Sequence, residues 1–294
     1  MRRKSIVYSG SAVEVVEYPA VVISGDILAK TLYVYLGDLE KALYSGLIPL
    51  TKPVVLGSTG VVRVIEVLSD RTEYTGKYYT VTPLGKWGIL SVTTNGILSN
   101  YASLDDSYLE EKLTSPQPHD ALRPLLNHVV SLASKCEEPV LVEGCGLVGV
   151  SLGTLLGEAN LEVQLYCETD KRNAYTLGLD PISHTSNLSK KWRTVVVTSL
   201  NAASKYRVMR ELEYSNLVIS AFSLTEWIPV RRNYTTRVSV VGVERVVEVE
   251  ELAWKSKKVL YRLSRAIKVV RAGDLDSAKG LIPPRGLGTV VALD

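Results

Sequence analysis

Residues 139–170 read PVLVEGCGLVGVSLGTLLGEANLEVQLYCETD, and no other stretch constrains the fold as strongly. An apolar run, Pro139 to Val142, meets Gly144-Cys145-Gly146-Leu147-Val148-Gly149. Val150, Leu152, Leu155 and Leu156 then follow helical spacing, and a second apolar run, Val163 to Cys167, ends at Glu168. Strand, G-x-G-x-x-G turn, helix, strand and acid within about thirty residues form the pattern of a dinucleotide-binding unit. Gly144 permits the tight turn, Gly146 lets the backbone approach a pyrophosphate, and Gly149 lets helix and strand pack closely. The helix start at Leu147 and Val148 offers N–H donors and the positive end of the helix dipole to the phosphates. Glu168, nineteen residues past Gly149, sits where a carboxylate accepts hydrogen bonds from both hydroxyls of an adenosine ribose.

The same acid bears on the choice of dinucleotide. A 2′-phosphate beside a carboxylate meets repulsion, whereas a free diol gains two hydrogen bonds, so Glu168 favours NAD(H). Thr169, Lys171 and Arg172 follow at once. If Glu168 turns away, the two cations can hold a 2′-phosphate, which leaves NADP(H) open. Arg172 is therefore a candidate cofactor residue.

The chain has 294 residues, enough for two domains with sizeable cores. With 46% hydrophobic and 22% charged residues it has a globular composition. No apolar run approaches the ~20 residues of a membrane span. The basic start, Met1-Arg2-Arg3-Lys4, is followed by a stretch broken by Ser9, Ser11 and Glu14, so a signal-peptide core is not expected. A formal charge of +3 does not by itself imply nucleic acid, and Arg231-Arg232 reads as a solvated loop. Cys136, Cys145 and Cys167 form no C-x-x-C pair and stand near no histidine at ligand spacing. They read as buried thiols in a reducing, cytoplasmic setting. His119, His128 and His184 are scattered and read as surface or helix-face residues.

Texture divides the chain near Pro116-Gln117-Pro118. Before it, short runs rich in Val, Tyr and Thr recur at Ser5–Tyr8, Ala12–Val16, Ile27–Val34, Val61–Val67, Tyr78–Thr82 and Ile89–Thr93, with one helix at Asp38–Tyr44, which is an all-β pattern. After it, strands at 139–143, 162–167, 193–198, 216–220 and 236–242 alternate with helices at 147–157, 170–177, 202–213 and 250–271. Alternation of this kind predicts a doubly wound parallel sheet. The expected division is a β-rich domain over 1–118 and a Rossmann domain over 119–271, with 272–294 returning to the β-rich domain. The turn and strand within Leu281–Leu293 have no obvious partner in the parallel sheet.

This order resembles the medium-chain alcohol dehydrogenase (medium-chain dehydrogenase/reductase) family nearly end to end. Arg3-Lys4-Ser5-Ile6-Val7-Tyr8 looks like its first strand, and Gly25-Asp26-Ile27-Leu28-Ala29-Lys30 resembles its "G-D-V-L-V-K". Val55-Leu56-Gly57-Ser58-Thr59-Gly60-Val61-Val62 stands where the family has "L-G-H-E-G-x-G-x-V", and Asn95–Ala102 resembles its "G-G-F-A-E-Y" strand. The resemblance implies a GroES-like fold for the β-rich domain and a substrate pocket between the domains. It also implies a phosphate-binding Arg285 and a homodimer paired through the Rossmann sheet edge at Val238-Ser239-Val240-Val241-Gly242-Val243.

The chain departs from the family where zinc would bind. Tyr35 replaces the cysteine of "C-G-T/S-D", in Tyr35-Leu36-Gly37-Asp38, and Ser58-Thr59 replace His-Glu. A phenol and hydroxyls are poor substitutes for thiolate and imidazole. The lobe of four cysteines is also missing, since Pro83 passes through Gly85-Lys86-Trp87-Gly88 into the next strand. No zinc is expected, a feature shared with quinone oxidoreductases. Tyr35, Ser58 and Thr59 are then the candidate catalytic donors, able to polarise a carbonyl or relay a proton, with Lys86 a weaker candidate. Tyr35 can instead simply fill the vacated pocket.

Glu143, just before the turn, places a carboxylate near a pyrophosphate. Either Arg285 offsets it or it points away to backbone or a neighbouring strand. The expected function is a zinc-independent NAD(P)(H)-dependent oxidoreductase acting on a small alcohol, aldehyde, ketone or enone. The alternative is a non-catalytic, dinucleotide-binding descendant of the same family.

Overall fold

The computed structural model of the chain describes residues 2–19, 25–68, 72–189, 191–225, 236–242 and 250–293. Arg231-Arg232 and Val243 lie outside them. Two compact units emerge, Met1–Leu125 with Ile267–Asp294, and Leu126–Ala266.

The first unit opens with β1 (Arg3–Tyr8) and β2 (Val13–Tyr18), a hairpin that also pairs with β4 (Val54–Val55). The long strand β3 (Ile27–Leu36) runs into helix α1 (Asp38–Tyr44), the helix the sequence predicts. Strands β5 (Thr59–Val67), β6 (Tyr78–Val81), the short hairpin β7 (Leu84–Gly85) and β8 (Gly88–Ile89), β9 (Tyr101–Leu104) and β10 (Leu109–Leu113) follow. Of the strand expected over Ile89–Thr93, only Ile89 is in a strand. Helix α2 (Arg123–Ala133) leads into the second unit.

In that unit β11 (Val140–Glu143), α3 (Leu147–Glu158), β12 (Val163–Tyr166), α4 (Lys171–Thr176), β13 (Lys191–Val197), α5 (Ala202–Glu211), β14 (Glu213–Ser220), β15 (Arg237–Val241) and α6 (Glu250–Ala266) alternate. The chain closes in the first unit with β16 (Lys268–Ala272), α7 (Leu275–Lys279) and β17 (Thr289–Leu293).

The second unit carries a parallel sheet in the order β12-β11-β13-β14-β15. Strand β11 is buried on both faces, with Val140, Leu141 and Val142 inaccessible, as a parallel sheet covered by helices requires. One face packs Leu141, Tyr166, Val195, Val197 and Leu217 against Val208 and Met209 of α5 and Leu212 just after it. Beyond β12, among the described residues, the sheet continues only as a single bridge, Tyr166 to Ile182. The segment Asp180–Ser189 offers only Ile182 and Leu188 as apolar residues, too few for a buried strand. At the opposite side β15 is the last strand among the described residues, with Val238 and Val240 exposed.

The principal sheet of the first unit runs β10-β6-β5-β3-β17-β16, with β9 also on β3. The C-terminal strand therefore returns to the β-rich unit, antiparallel to β3. The helix expected over 250–271 stops at Ala266, and Lys268–Ala272 instead pairs in parallel with β17.

Candidate functional site

The glycine turn joins β11 to α3. Gly144 adopts φ +109°, a left-handed conformation that suits glycine, and its amide donates to Tyr166 O at 3.0 Å. A Cβ on Gly144 would lie 2.6 Å from Thr198 Oγ1 and 2.8 Å from Ser199 N. At Gly149 a Cβ would lie 2.0 Å from Gly144 O, so the first turn of α3 is packed directly on the loop. Gly146, which has no side chain of its own to cap with, is the N-cap of α3 in an extended conformation. Leu147 and Val148 begin the helix there.

Neighbouring groups hold the turn. Thr198 donates to Glu143 O through both its amide at 3.0 Å and its hydroxyl at 2.7 Å. Asn173 Nδ2 donates to Cys145 O at 2.9 Å. Cys145 and Cys167 are joined as a disulfide with Cα atoms 5.4 Å apart, within the ordinary range for such a bond. The sequence expectation of three separate thiols is corrected here: β11 and β12 are adjacent and parallel, which brings the residue inside the turn opposite the residue after β12. Cys136 remains a free thiol, pushed up to about 12 by burial.

Glu143 is fully buried. Its carboxylate accepts from Ser199 Oγ at 2.6 Å, Ser199 N at 3.3 Å and Ser204 Oγ. Burial raises its pKa, opposed by these donors and by Lys205. The acid turns into the loop between β13 and α5, so of the two sequence readings the one in which it bonds neighbouring groups holds.

Glu168 lies two residues beyond β12. Its Oε1 is 3.2 Å from Arg207 Nη1 on α5, and its Oε2 is buried with no hydrogen-bond partner. Arg207 is absent from the sequence reading; 39 positions separate it from Glu168, and only the packing of α5 beside β12 reveals it. Arg172 is exposed on the first turn of α4. Arg285 is exposed in the other unit, in the turn before β17, where its carbonyl accepts from Gly288 N.

In the first unit, Tyr35 is the penultimate residue of β3 and only 3% exposed. Its hydroxyl donates to Leu287 O at 2.7 Å. Burial, then Asp38 and Glu40, hold the phenol well above its ordinary pKa. The ring is wedged so tightly that a Cβ on Gly37 would lie 2.3 Å from its oxygen. Thr59 pairs with Tyr35 across the sheet and is buried, as is Ser58.

A residue the sequence reading missed organises this corner. Glu40, in the first turn of α1, accepts Gly37 N at 2.9 Å on one oxygen. It accepts both Ser58 N and Ser58 Oγ at 3.0 Å on the other. Burial raises its pKa, and the three donors oppose the rise. An acid three residues after a helix cap was the available signal. Lys86 stacks on Trp87, its ammonium 5.0 Å from the ring centre.

His119 lies 3.3 Å from Ile267 O through Nε2, and His184 is exposed. His128, expected at a surface or helix face, lies on a buried face of α2, 1% exposed, where Ser220 Oγ and Gly242 O satisfy its two nitrogens.

No protein-family model matches the chain, and no curated protein matches it. Solved structures do. S. aureus TarJ in complex with NADPH aligns with a TM-score of 0.69 at 12% identity, covering 100% of both chains. A short-chain alcohol dehydrogenase from E. coli CFT073 complexed with NADH gives 0.68 at 16%, covering 99% of both. A thermostable alcohol dehydrogenase from Pyrobaculum aerophilum gives 0.68 at 16%, covering 99% of this chain and 100% of that one. At such identities the likeness is one of fold: a Rossmann doubly wound sheet with a β-rich, GroES-like unit.

Proposed function

We propose that the chain is an NAD(P)(H)-dependent oxidoreductase of the medium-chain type that works without zinc on a small alcohol, aldehyde, ketone or enone. One observation carries the reading: a glycine turn at the start of α3, packed so closely that Cβ atoms are excluded at Gly144 and Gly149. The residues fit a dinucleotide. Gly144, Gly146, Leu147, Val148 and Gly149 would hold its diphosphate, and Glu168, with one unpartnered buried oxygen, its ribose. NAD(H) is the preferred form and NADP(H) is admissible, with Arg172 and Arg285 as further candidate phosphate contacts. When bound, the nicotinamide supplies the hydride chemistry.

The residues at the family's zinc position do not fit zinc. Tyr35 keeps its proton on Leu287 O, and both oxygens of Glu40 are occupied by Gly37 and Ser58. Phenol and hydroxyl donors are not the nitrogen and sulfur set that Zn²⁺ selects. Among the described residues the grouping of acids able to hold a metal, Asp26, Asp105 and Asp106, includes none of them. Ser58, backed by Glu40, is the proposed proton-relaying donor, with Thr59 beside it. Tyr35 shapes the corner that holds them.

The burial of Tyr35, Ser58 and Thr59 within one unit favours a second reading, a dinucleotide-binding descendant without turnover. Titration of NADH and NADPH by fluorescence, then a carbonyl panel followed by loss of cofactor absorbance, separates the two. Turnover that falls in Ser58→Ala supports the enzyme, binding without turnover supports the second reading, and failure to bind either cofactor removes both.

Strand β15, last in the sheet among the described residues and with Val238 and Val240 exposed, supports a homodimer through the Rossmann sheet. None of the described helices is long and apolar enough to cross a membrane. A cytoplasmic setting remains the proposal; the Cys145–Cys167 bond then makes the chain one of the exceptions to the rule that cytosolic thiols stay reduced.

A further inference from the structure

Sequence proximity points to Lys171 and Arg172 as the cations near the ribose acid, yet among the described residues the ion-pair partner of Glu168 is Arg207. Arg207 stands on α5, whose neighbouring Val208 and Met209 are buried in the core that also contains Tyr166. That anchoring delivers the guanidinium beside the end of β12. Arg207 is 45% exposed and Glu168 26%, so the pair is reachable from solvent. One carboxylate oxygen is held by the guanidinium and the other is unpartnered.

A lone carboxylate here would repel a 2′-phosphate. A carboxylate compensated by a guanidinium does so far less, and the five donors of the guanidinium can serve carboxylate and phosphate together. We propose that Arg207 is the residue that sets dinucleotide selectivity: it orients Glu168 toward a ribose diol and supplies the charge that lets the same position accept a 2′-phosphate. The proposal rests on the reading that the chain binds a dinucleotide.

The test measures dissociation constants by calorimetry for NADH and NADPH, with 5′-ADP and 2′,5′-ADP as probes of the adenosine half. In Arg207→Met, NADPH and 2′,5′-ADP weaken by about tenfold or more while NADH and 5′-ADP change by less than about threefold. Arg207→Lys keeps most of the NADPH affinity, and Glu168→Gln favours NADPH over NADH. Equal weakening of both cofactors in Arg207→Met makes the residue merely structural and overturns the proposal. So does selective loss in Lys171→Ala/Arg172→Ala with none in Arg207→Met. Wild-type protein that binds none of the four probes overturns the dinucleotide reading itself, an outcome distinct from either.

Discussion

His128 gives the sharpest quantitative handle on the second unit. Its Nδ1 lies 3.2 Å from Gly242 O, and a carbonyl can only accept, so Nδ1 carries the proton. Nε2 therefore accepts from Ser220 Oγ at 2.7 Å. The ring centre is 4.4 Å from that of Phe222, and burial pulls the pKa from 6.5 to about 4, with the Gly242 bond opposing. The folded value lies below the unfolded one, so between pH 6.5 and 4 the unfolded chain binds more protons and acidification favours unfolding. The stabilisation is whole above pH 6.5 and is lost as pH falls toward 4, about 3 kcal/mol in all. Glu40 and Glu143 act in the opposite sense, since their raised folded values make the native state take up protons first. Urea unfolding at pH 7, 6, 5 and 4.5, in wild type and in His128→Asn, separates the terms because both carboxyls are common to the two proteins. The wild type is expected to lose ~2 to 3 kcal/mol more than the variant over that range. Parallel curves for the two proteins would refute the buried, neutral imidazole.

Gly149→Ala forces a methyl to within 2.0 Å of Gly144 O, a backbone atom that cannot rotate away. Its unfolding midpoint should fall, by roughly 1–3 kcal/mol in stability, and its NADH affinity by about tenfold or more; unchanged affinity would count against the turn as a phosphate cradle. Reducing Cys145–Cys167, or Cys145→Ser/Cys167→Ser, reopens a loop with a separation of 22 residues. The expected loss is about 3 kcal/mol on the chain-entropy estimate, read from urea midpoints with and without reductant. Tyr35→Phe leaves Leu287 O without its buried donor, for a loss of about 1–2 kcal/mol. Turnover per folded molecule should survive if Ser58 and Glu40 carry the proton, and loss of turnover with NADH binding intact would return the role to Tyr35.

The parallel sheet was legible because its strands are β-branched runs punctuated by glycine, and because each lies within a few residues of the helix that covers it. Legibility failed where the deciding partner is distant. Lys268–Ala272 continues the helical spacing of α6, but Val269 and Val270 find β17 some twenty residues later, and pairing overrides local pattern. The same reason hides Glu40 with Ser58, Glu168 with Arg207, and Cys145 with Cys167: each pair is set by strand register and helix packing. Glu143 was legible as an anomaly but not in its direction, because a strand residue faces one side or the other according to register alone.

That direction explains why an acid is tolerated beside the turn. Glu143 ties the end of β11 to Ser199 and Ser204, and Thr198 closes on its carbonyl. Gly144 packs on the same Thr198 and Ser199, so the acid braces the surface against which the turn is folded. Asn173 and the Cys145–Cys167 bond hold the turn from the β12 side. A cradle fixed from both sides loses little conformational freedom when an anion arrives, which is where preorganised sites gain affinity. Glu168 and Arg207, by contrast, are partly exposed and pair with each other between α5 and the end of β12. The expected division of labour follows: the turn contributes affinity common to both dinucleotides, while the ion pair, free to exchange partners, sets the difference between them.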